Sequence, residues 1–302
     1  MAFTLTSNYA GKAAGFYISA AMEEATSLEH MTILQNIKYK ENLQTIDGDS
    51  FIRNADCNFL SNGNLSLTDS VLEPKKLQIN YQMCKDSLLA GWEAEQMKAG
   101  AWNRNAPKFD AYVLSYMAEH IADGLESSIW NGLAATQGQF AGFTAAGGAF
   151  ATGGTVQTAN VGGAATVYTA TNIIAQLQAI AASILATVYG KEDLRIFMNW
   201  KTYRFYISAI STLGYVNAYS MNDSYIPTFE GIKLAVVYGM PDDTLVAART
   251  SNLYFGTDLI SDTTMVKLMD MSPLDGSENL RFVAKFTAGV QVGIGAETVQ
   301  QD

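Results

Sequence analysis

The chain has 302 residues, of which 48% are apolar and only 16% are charged. Soluble domains usually carry ~25% charged residues, so a chain this poor in charge is expected to bury much of its surface on itself or against neighbours. The 19 basic and 29 acidic residues give a net charge of -10 and include no run of Lys and Arg. This balance argues against nucleic-acid binding, because a protein that neutralises phosphates needs a concentrated positive face.

Cysteine usage and the N-terminal segment bear on the cellular compartment. Cys57 and Cys84 are the only cysteines and form no CxxC pattern, which is typical of reduced thiols in a cytoplasmic protein. The segment MAFTLTSNYAGK lacks the basic and apolar regions of a signal peptide, and no apolar run approaches the ~20 residues that cross a membrane. We therefore expect a soluble cytoplasmic product without a membrane span.

The first part of the chain, up to about residue 46, predicts an extended arm. Its apolar positions fit neither the helical nor the strand period for long, and only a short helix near 17–25 is predicted within it. The next stretch, about 50–81, alternates in the manner of β-strands on either side of the hairpin dipeptide Asn62-Gly63. We predict a long two-stranded projection, which would have little core of its own.

A long helix is the clearest element in the middle of the chain. Residues 84–98 predict one helix, and the stretch that begins at Pro107 predicts a second, longer one. Apolar residues from Phe109 to Ile129 recur mostly at spacings of three and four, which indicates an amphipathic helix of about 25 residues, or some 38 Å.

Residues 136–170 are dominated by Gly, Ala and Thr and carry almost no charge. Double glycines within this stretch are not followed by Gly-Lys-Ser/Thr, so a phosphate-binding loop is not indicated. The composition predicts a flexible surface loop.

An α/β region is predicted from Thr171 onward. Apolar residues at helical spacing predict a helix over 171–188, with Thr171 or Asn172 as its cap. The remaining elements are a buried strand over 194–199, a helix over 200–211, and strands over 231–240 and 244–257 around a turn at 241–243.

The C-terminal part contains the strongest strand pattern. Residues 264–271 alternate, a turn follows at 273–276, and every second residue from Phe282 to Ile294 is then apolar. Fourteen residues from Arg281 to Ile294 would span about 45 Å, roughly twice the length of a typical strand. The long helix and this long strand have similar reach, so they could pack side by side and bury each other.

The two histidines are the first candidates for chemistry. His120 lies on the long helix with Glu119 before it and Asp123 after it, and such neighbours could in principle hold a metal. A zinc site needs three or four ligands, and no second His or Cys is near, so the alternative is a partly buried helix histidine. His30 lies in the predicted arm without a partner pattern and is interpreted as structural.

Other catalytic signatures are not found. The carboxylate pairs Glu23-Glu24 and Asp242-Asp243 are sequence neighbours, which point in different directions and so do not indicate an acid/base pair. No serine elbow, dinucleotide glycine pattern or cysteine-nucleophile signature occurs. We predict no catalytic residue, no cofactor-binding residue, no metal ligand and no cofactor, and we expect a protein that is not an enzyme.

An aromatic cluster in the α/β region has two interpretations. It is either core with a tyrosine-rich surface or a contact between subunits, since tyrosine is over-represented in interface cores. Its members are Tyr203, Phe205, Tyr206, Tyr215, Tyr219 and Tyr225.

The order of these parts resembles the major capsid protein of tailed bacteriophages, which has the HK-ninety-seven-type capsid fold. Three stretches resemble this family in sequence, and together they follow the family order over nearly the whole chain except residues 136–170. They are YAGKAAGFYISAA in the arm, LQINYQMCKDSLLAGWEAEQMKAG after the hairpin, and VAARTSNLYFGTDLISDTTMVKLMDMSPLDGSENLRFVAKFTAGVQVGIG near the end.

The resemblance implies an α+β fold with the domains of that family. The long helix would be the spine helix of the peripheral domain, and residues 264–271 and 281–299 would form the long sheet beside it. The implied boundaries are an N-terminal arm at 1–47, an extended β-hairpin loop at 48–83, a peripheral domain at 84–136 and 261–302 with its spine helix at about 108–134, and an α/β axial domain at 137–260.

The resemblance also implies a function and partners. The chain would assemble with itself into hexamers and pentamers of an icosahedral virion shell, in the cytoplasm of a bacterial host. The shell would enclose double-stranded DNA without sequence-specific binding or membrane contact. Portal, separate scaffolding and decoration proteins would be further partners. One branch of the family cross-links its shell through a Lys–Asn bond, but no motif gives a partner to Lys75 or Lys76, so we predict no cross-link.

Two alternatives stay open beside the capsid interpretation. The first is an encapsulin-like bacterial compartment shell, which neighbouring genes for a portal and a large terminase would exclude. The second is a stand-alone α/β enzyme or binding domain, which should purify as a small oligomer with a ligand-sized pocket.

Overall fold

A computed structural model describes residues 8–9, 25–48, 52–55, 57, 63–84, 107–153, 156–159, 167–212, 227–258 and 265–302. The helices predicted near 17–25 and over 84–98 lie outside these residues, apart from Ala25 and Cys84 at their ends. The described strands are β1 (Asn8–Tyr9), β2 (Thr32–Leu34), β3 (Glu41–Gly48), β4 (Leu65–Leu72), β5 (Lys75–Cys84), β6 (Gln157–Thr158), β7 (Leu194–Met198), β8 (Thr228–Phe229), β9 (Ile232–Val236), β10 (Leu245–Arg249), β11 (Leu253–Gly256), β12 (Met265–Asp270), β13 (Asn279–Val292) and β14 (Val299–Gln301). The described α-helices are α1 (Pro107–Asn131), α2 (Ala149–Thr152), α3 (Ile173–Ser183), α4 (Trp200–Thr212) and α5 (Ser272–Asp275).

Strand β13 organises the first sheet, whose order is β1-β12-β13-β11-β2. It pairs antiparallel with β12, with β11 near its end, and with β5 along the whole of β5. The predicted long strand is confirmed, displaced by two residues at each end, and Ile294 lies beyond it, 39% exposed. Its alternation places one apolar face in the core, comprising Phe282, Ala284, Phe286, Ala288, Val290 and Val292.

Helix α1 is the amphipathic helix that the spacing of apolar residues predicts, and it has the predicted 25 residues. Met117, Ile121 and Leu125 on its buried face belong to one hydrophobic cluster together with Phe282 and Phe286 of β13. The prediction that the long helix and the long strand bury each other is therefore confirmed. None of the helices in the described part of the chain has both the length and the apolar character that a membrane span requires.

The second sheet has the order β6-β14-β10-β7-β9-β8 and is buried on both faces. Helices α3 and α4 pack on the face that carries Ile196 and Leu234. The opposite face contributes Phe197, Val246 and Ala248 to the core that also contains β13 and α1. The two sheets therefore share one continuous core rather than forming separate units.

The α/β elements follow the sequence closely. The strand predicted at 194–199 and the helix predicted at 200–211 are confirmed as β7 and α4. The helix predicted over 171–188 ends earlier, at Ser183, and the strand predicted over 231–240 is shortened to β9. Asn172 is the cap position of α3, but its side chain bonds back to the turn before the helix, donating to the Val167 carbonyl and accepting from the Thr169 N–H.

The predicted two-stranded projection is present, but its strands have other bounds than 50–81. Strand β4 pairs with β3 along their whole lengths, whereas β5 leaves the hairpin and joins β13. The projection is therefore made of β3 and β4, and β3 comes from residues that the resemblance assigns to the arm. The change of partner occurs at Glu73-Pro74, where proline cannot donate a ladder hydrogen bond. Periodicity locates strands but does not identify their partners.

Two predicted continuous elements are divided between the sheets. The strand predicted over 244–257 is interrupted by a 3-10 turn at Thr250–Asn252, so β10 lies in the second sheet and β11 in the first. The segment 281–299, which was expected to lie in one sheet, is likewise divided. Strand β13 ends at Val292, and β14 joins the second sheet beside β10. Asn252 fixes these two crossings to each other, because its Nδ2 donates to the Ile294 carbonyl at 2.8 Å and its Oδ1 accepts from the Ile294 N–H at 2.7 Å.

The prediction of a flexible surface loop is wrong for the described residues 139–153. Phe140, Phe143 and Phe150 in this segment are buried in the main core, and the Phe143 ring lies 5.5 Å from the Trp130 ring, tilted by 48°. Gly142 allows the close approach, because a Cβ atom there would lie 2.6 Å from the Trp130 carbonyl oxygen. The three phenylalanines are three and seven residues apart, which is compatible with one helical face, but the Gly- and Ala-rich composition between them led to the loop prediction.

Phe143→Ala tests whether this segment is core. Removing a fully buried phenylalanine should lower the free energy of unfolding by about 3–5 kcal/mol, through lost transfer energy and a cavity. The matched control is Val167→Ala, whose side chain is 69% exposed, and it should change the value by less than ~0.5 kcal/mol. Urea unfolding of the subunit measures both, and equal small effects would contradict the assignment.

Candidate assembly interface

The outer part of the β3–β4 hairpin carries exposed aliphatic side chains on one face. The antiparallel register places Ile46 opposite Leu67 and Gly48 opposite Leu65, so Ile46, Leu65 and Leu67 share this face. Val71 lies farther along the same face, beyond Asp69 and its cross-strand neighbour Gln44. Ile46 is 66% exposed and Leu67 is 62% exposed. We call Ile46, Leu65, Leu67 and Val71 the apolar stripe. A two-stranded hairpin in water is marginally stable by itself, so an exposed stripe of this kind indicates a surface that another partner covers.

The root of the hairpin, at residues 70–75, is held against the first sheet. Leu72 is fully buried, and it packs so closely that a Cβ atom on Gly256 would lie 2.7 Å from its Cδ2 atom. The Ser70 hydroxyl donates to the Val292 carbonyl at 3.0 Å, and the Gln291 amide donates to the Val71 carbonyl at 2.8 Å. These contacts fix the angle at which the hairpin leaves the sheet.

Two lysines form further polar contacts at the root. The Lys40 ammonium lies 2.8 Å from a Glu73 carboxylate oxygen, and this hydrogen bond raises the pKa of Lys40. The Lys75 ammonium donates to the carbonyls of Ala134 and Gln139, each at 2.8 Å. Lys75 therefore fastens the start of β5 to the segment that follows α1, which gives it a structural role in the subunit.

A pocket of about 290 Å³ lies between α1, β5 and the segment after α1. We call it the helix–strand pocket. Gly124 of α1 lines it, and a Cβ atom at this position would meet no atom within 4 Å. Glycine inside a helix costs about 1 kcal/mol relative to alanine, and no contact among the described residues requires a glycine at this position. The apolar walls are Leu77, Ile79, Met117, Ile121, Leu125, Phe140 and Phe286, and the polar lining includes His120, Gln78 and Ser128.

Glu126 joins the end of the arm to α1 and to the second sheet. Its buried carboxylate accepts hydrogen bonds from the Thr26 hydroxyl at 3.1 Å, from the N–H and hydroxyl of Ser27, and from the Gly239 N–H at 3.3 Å. The Trp130 indole N–H donates to the Ser27 hydroxyl at 2.6 Å. Glu126 is not among the residues predicted to be important. The sequence feature that could have indicated its burial is a carboxylate one turn before Ile129 and Trp130, on the apolar side of the helix.

The two histidines lie in different surroundings. His30 is half-buried, 6.0 Å from the Phe197 ring, and burial, followed by the charge of Arg195, lowers its pKa. His120 is exposed rather than partly buried, and its ring meets the Tyr116 ring edge-on at 4.4 Å. Among the described residues, no group of three His, Cys, Asp or Glu side chains could hold a metal ion.

The adjacent carboxylates Asp242 and Asp243 face different partners. Asp242 accepts hydrogen bonds from the Asn199 amide and the Lys201 ammonium, each at 2.7 Å. Asp243 accepts from the Tyr168 N–H at 2.9 Å. Both therefore stabilise turns. The other pair, Glu23-Glu24, lies outside the described residues.

The aromatic cluster is partly accounted for by packing. Tyr206 is buried in the second core, and Tyr203 and Phe205 pack against it. Trp200 and Tyr238 form an exposed extension, with rings 5.9 Å apart. The other three members, Tyr215, Tyr219 and Tyr225, lie outside the described residues. Cys57 and Cys84 are both exposed.

Comparison of the sequence with models of known families and with curated proteins gives no match. Solved structures do match. A chain of the satellite phage P4 procapsid, solved with its size determination protein, has a TM-score of 0.59 at 11% identity, over 95% of this chain and 98% of that one. The capsid of Myoviridae phage XM1 has a TM-score of 0.55 at 13% identity, over 100% and 94%. A virus-like particle from Pyrococcus furiosus has a TM-score of 0.55 at 10% identity, over 96% and 98%.

The chain has the fold of tailed-phage capsid proteins. The matches extend over almost the full length of both chains, so they include the hairpin and both sheets. The fold class predicted from the resemblance, α+β with this capsid architecture, is confirmed. At identities of 10–13%, the similarity shows the fold only, so the roles of individual residues are interpreted from this structure alone.

Leu67→Asp tests whether the apolar stripe is a contact between subunits. The side chain is largely exposed, so the free energy of unfolding of the subunit should change by less than ~0.5 kcal/mol, while assembly should be lost because a charge would be buried without a partner. Sedimentation velocity measures assembly, and urea unfolding measures stability.

Thr68→Asp is the matched control, because Thr68 is exposed on the opposite face of the same strand. It should assemble far better than Leu67→Asp. Equal assembly of the two variants would show that the stripe is not an interface.

Proposed function

We propose that the chain is the major capsid protein of a tailed bacteriophage, which assembles with itself into hexamers and pentamers of an icosahedral shell around the double-stranded DNA genome. The observation that carries the proposal is the apolar stripe on a hairpin without its own core, in a chain with the capsid fold. A subunit built this way reaches its full burial only when neighbouring copies cover the stripe.

Composition supports the same function. A charged share of 16% suits a subunit that is bordered by copies of itself on several sides. The net charge of -10 suits a wall that encloses DNA, because like charges keep the inner surface from binding the genome tightly. Neither property favours an enzyme, and we propose a structural role without catalytic, cofactor or metal sites.

The domain assignment follows from the proposal. Helix α1 would be the spine helix, the first sheet would form the peripheral domain, and the second sheet with α3 and α4 would form the axial domain around capsomer centres. Because β3 pairs with β4, we propose that the extended loop begins near residue 41 rather than 48. The terminal strand β14 would belong to the axial domain, beside β10.

Location and partners are part of the proposal. Assembly would take place in the cytoplasm of the bacterial host, and the product would be the virion capsid. A portal protein, a separate scaffolding protein and decoration proteins would complete the particle.

A second candidate function is an encapsulin-like compartment shell. The match to a virus-like particle from Pyrococcus furiosus spans 98% of that chain, so the similarity in fold is not limited to structures described as phage capsids. Genes for a portal and a large terminase beside the gene of this chain would favour the virion, and a neighbouring gene for a cargo enzyme would favour the compartment.

Negative-stain electron microscopy of the purified protein tests the proposed function. We expect closed shells, tubes or capsomer rings, either from the protein alone or after co-expression with the proteins of its neighbouring genes. A stable monomer or dimer that never assembles under either condition would contradict it.

A further inference from the structure

We infer that the 3-10 helix Thr26–His30 is a pH-sensitive anchor of the arm, docked on α1 and β7 at neutral pH and released when His30 is protonated. We call this helix the arm anchor. Polar contacts hold its first half, and at its end His30 meets a buried aromatic ring beside positive charge. The anchor belongs to the single subunit, so the inference goes beyond the proposed function and does not depend on it.

The first half of the arm anchor is held by hydrogen bonds to α1. The Ser27 N–H donates to the Glu126 carboxylate at 3.1 Å, and so does the Thr26 hydroxyl. The Trp130 indole donates to the Ser27 hydroxyl at 2.6 Å. Leu28 is buried in the same hydrophobic cluster as Trp130. Release of the anchor would break these hydrogen bonds and uncover Leu28, so the anchor stays docked only while nothing at its other end opposes docking.

His30 ends the arm anchor next to β7. Its ring lies 6.0 Å from the ring of Phe197, which is fully buried. Arg195 precedes Phe197 by two residues on this strand, so the two side chains leave β7 on the same face and Arg195 lies beside the contact. The Nε atom of Arg195 is buried and has no hydrogen-bond acceptor among the described residues. A guanidinium that is incompletely paired therefore borders the site of the histidine ring.

Other charged groups face the same region. Lys233 of β9 is the strand neighbour of Arg195, so it adds to the positive side. Glu29 of the anchor itself and Glu126 of α1 are the nearby carboxylates. Burial, followed by the positive charge of Arg195, lowers the pKa of His30, although the two carboxylates act in the opposite direction. The neutral imidazole is therefore the form that fits the docked anchor, because a protonated ring would place a second cation beside a buried apolar contact.

The sign of the pH effect follows from the direction of this shift. An unperturbed histidine has a pKa of about 6.5, and His30 in the docked anchor has a lower pKa. Docking is therefore at full strength above about pH 6.5 and weakens as the pH falls below this value, because the released anchor binds a proton that the docked anchor does not. Mild acid would release the arm anchor.

Amide hydrogen exchange of the full-length subunit at several pH values tests the release. The reporter is the Ser27 amide, whose N–H is bonded to Glu126 only while the anchor is docked. Its protection factor, which corrects for the intrinsic pH dependence of exchange, should fall about threefold or more between about pH 7.5 and about pH 5.5. The amides of β13 are the internal control and should keep their protection over the same range.

His30→Gln removes the titrating group and keeps a polar side chain at this position. In this variant the protection of the Ser27 amide should no longer depend on pH over the same range. His120→Gln is the matched control, because His120 is exposed and is the only other histidine of the chain, and it should lose protection as the unmodified chain does. Thermal unfolding at about pH 7.5 checks that both variants are folded.

Nuclear magnetic resonance of the histidine ring tests the physical cause separately. In the His120→Gln chain, the remaining imidazole signal belongs to His30, and its titration midpoint should lie below about 6.5. Arg195→Met removes the neighbouring positive charge and keeps an unbranched side chain. The midpoint should therefore move upward in this variant, and the loss of Ser27 protection in acid should become smaller.

Each measurement has a result that overturns the inference. Protection of the Ser27 amide that stays constant in acid, or that falls equally in the unmodified chain and in His30→Gln, excludes His30 as the trigger. A His30 midpoint at or above about 6.5 also overturns it. All of these measurements use the unassembled subunit, so neither result bears on the proposed function, which electron microscopy tests independently.

Discussion

The antiparallel ladder between β5 and β13 is the interaction on which the rest of this structure depends. It fixes the register from Lys75 opposite Ala288 to Cys84 opposite Asn279. That register sets how far the hairpin extends beyond the end of β13, and it places Leu77 and Ile79 beside α1. A shift of β5 by one residue would turn Leu77 and Ile79 away from α1. One ladder therefore determines the core, the angle of the hairpin and the shape of the helix–strand pocket.

A shared core keeps the rest of the subunit rigid while its edges stay available to neighbours. The second sheet turns one face toward α3 and α4 and the other toward the core of β13 and α1, so bending between the sheets would expose apolar surface. Asn252 ties the two crossings of the chain together, and Glu126 ties the arm, α1 and the Gly239 turn. Because these polar groups are buried and paired, losing one partner would leave the others unsatisfied.

Sequence reasoning succeeded where a residue's neighbours along the chain decide its burial. The alternation in β13 and the three-and-four spacing in α1 are local consequences of one buried face, and both elements were predicted. It failed where burial depends on distant partners. Three features arise from contacts that no period encodes. They are the change of strand partner at Pro74, the burial of Phe143 beside Trp130 and the role of Glu126. The helix–strand pocket belongs to this second group, because the space beside Gly124 exists only once α1 and β5 are packed.

The central claim is that the hairpin obtains its core from another copy of the chain. Amide hydrogen exchange, compared between the isolated subunit and assembled particles, tests it most directly. We expect fast exchange in the outer part of the hairpin, 44–48 and 65–68, of the isolated subunit and strong protection of the same residues in particles, with β7 protected in both. A hairpin whose amides exchange equally fast in particles and in the free subunit would contradict the account.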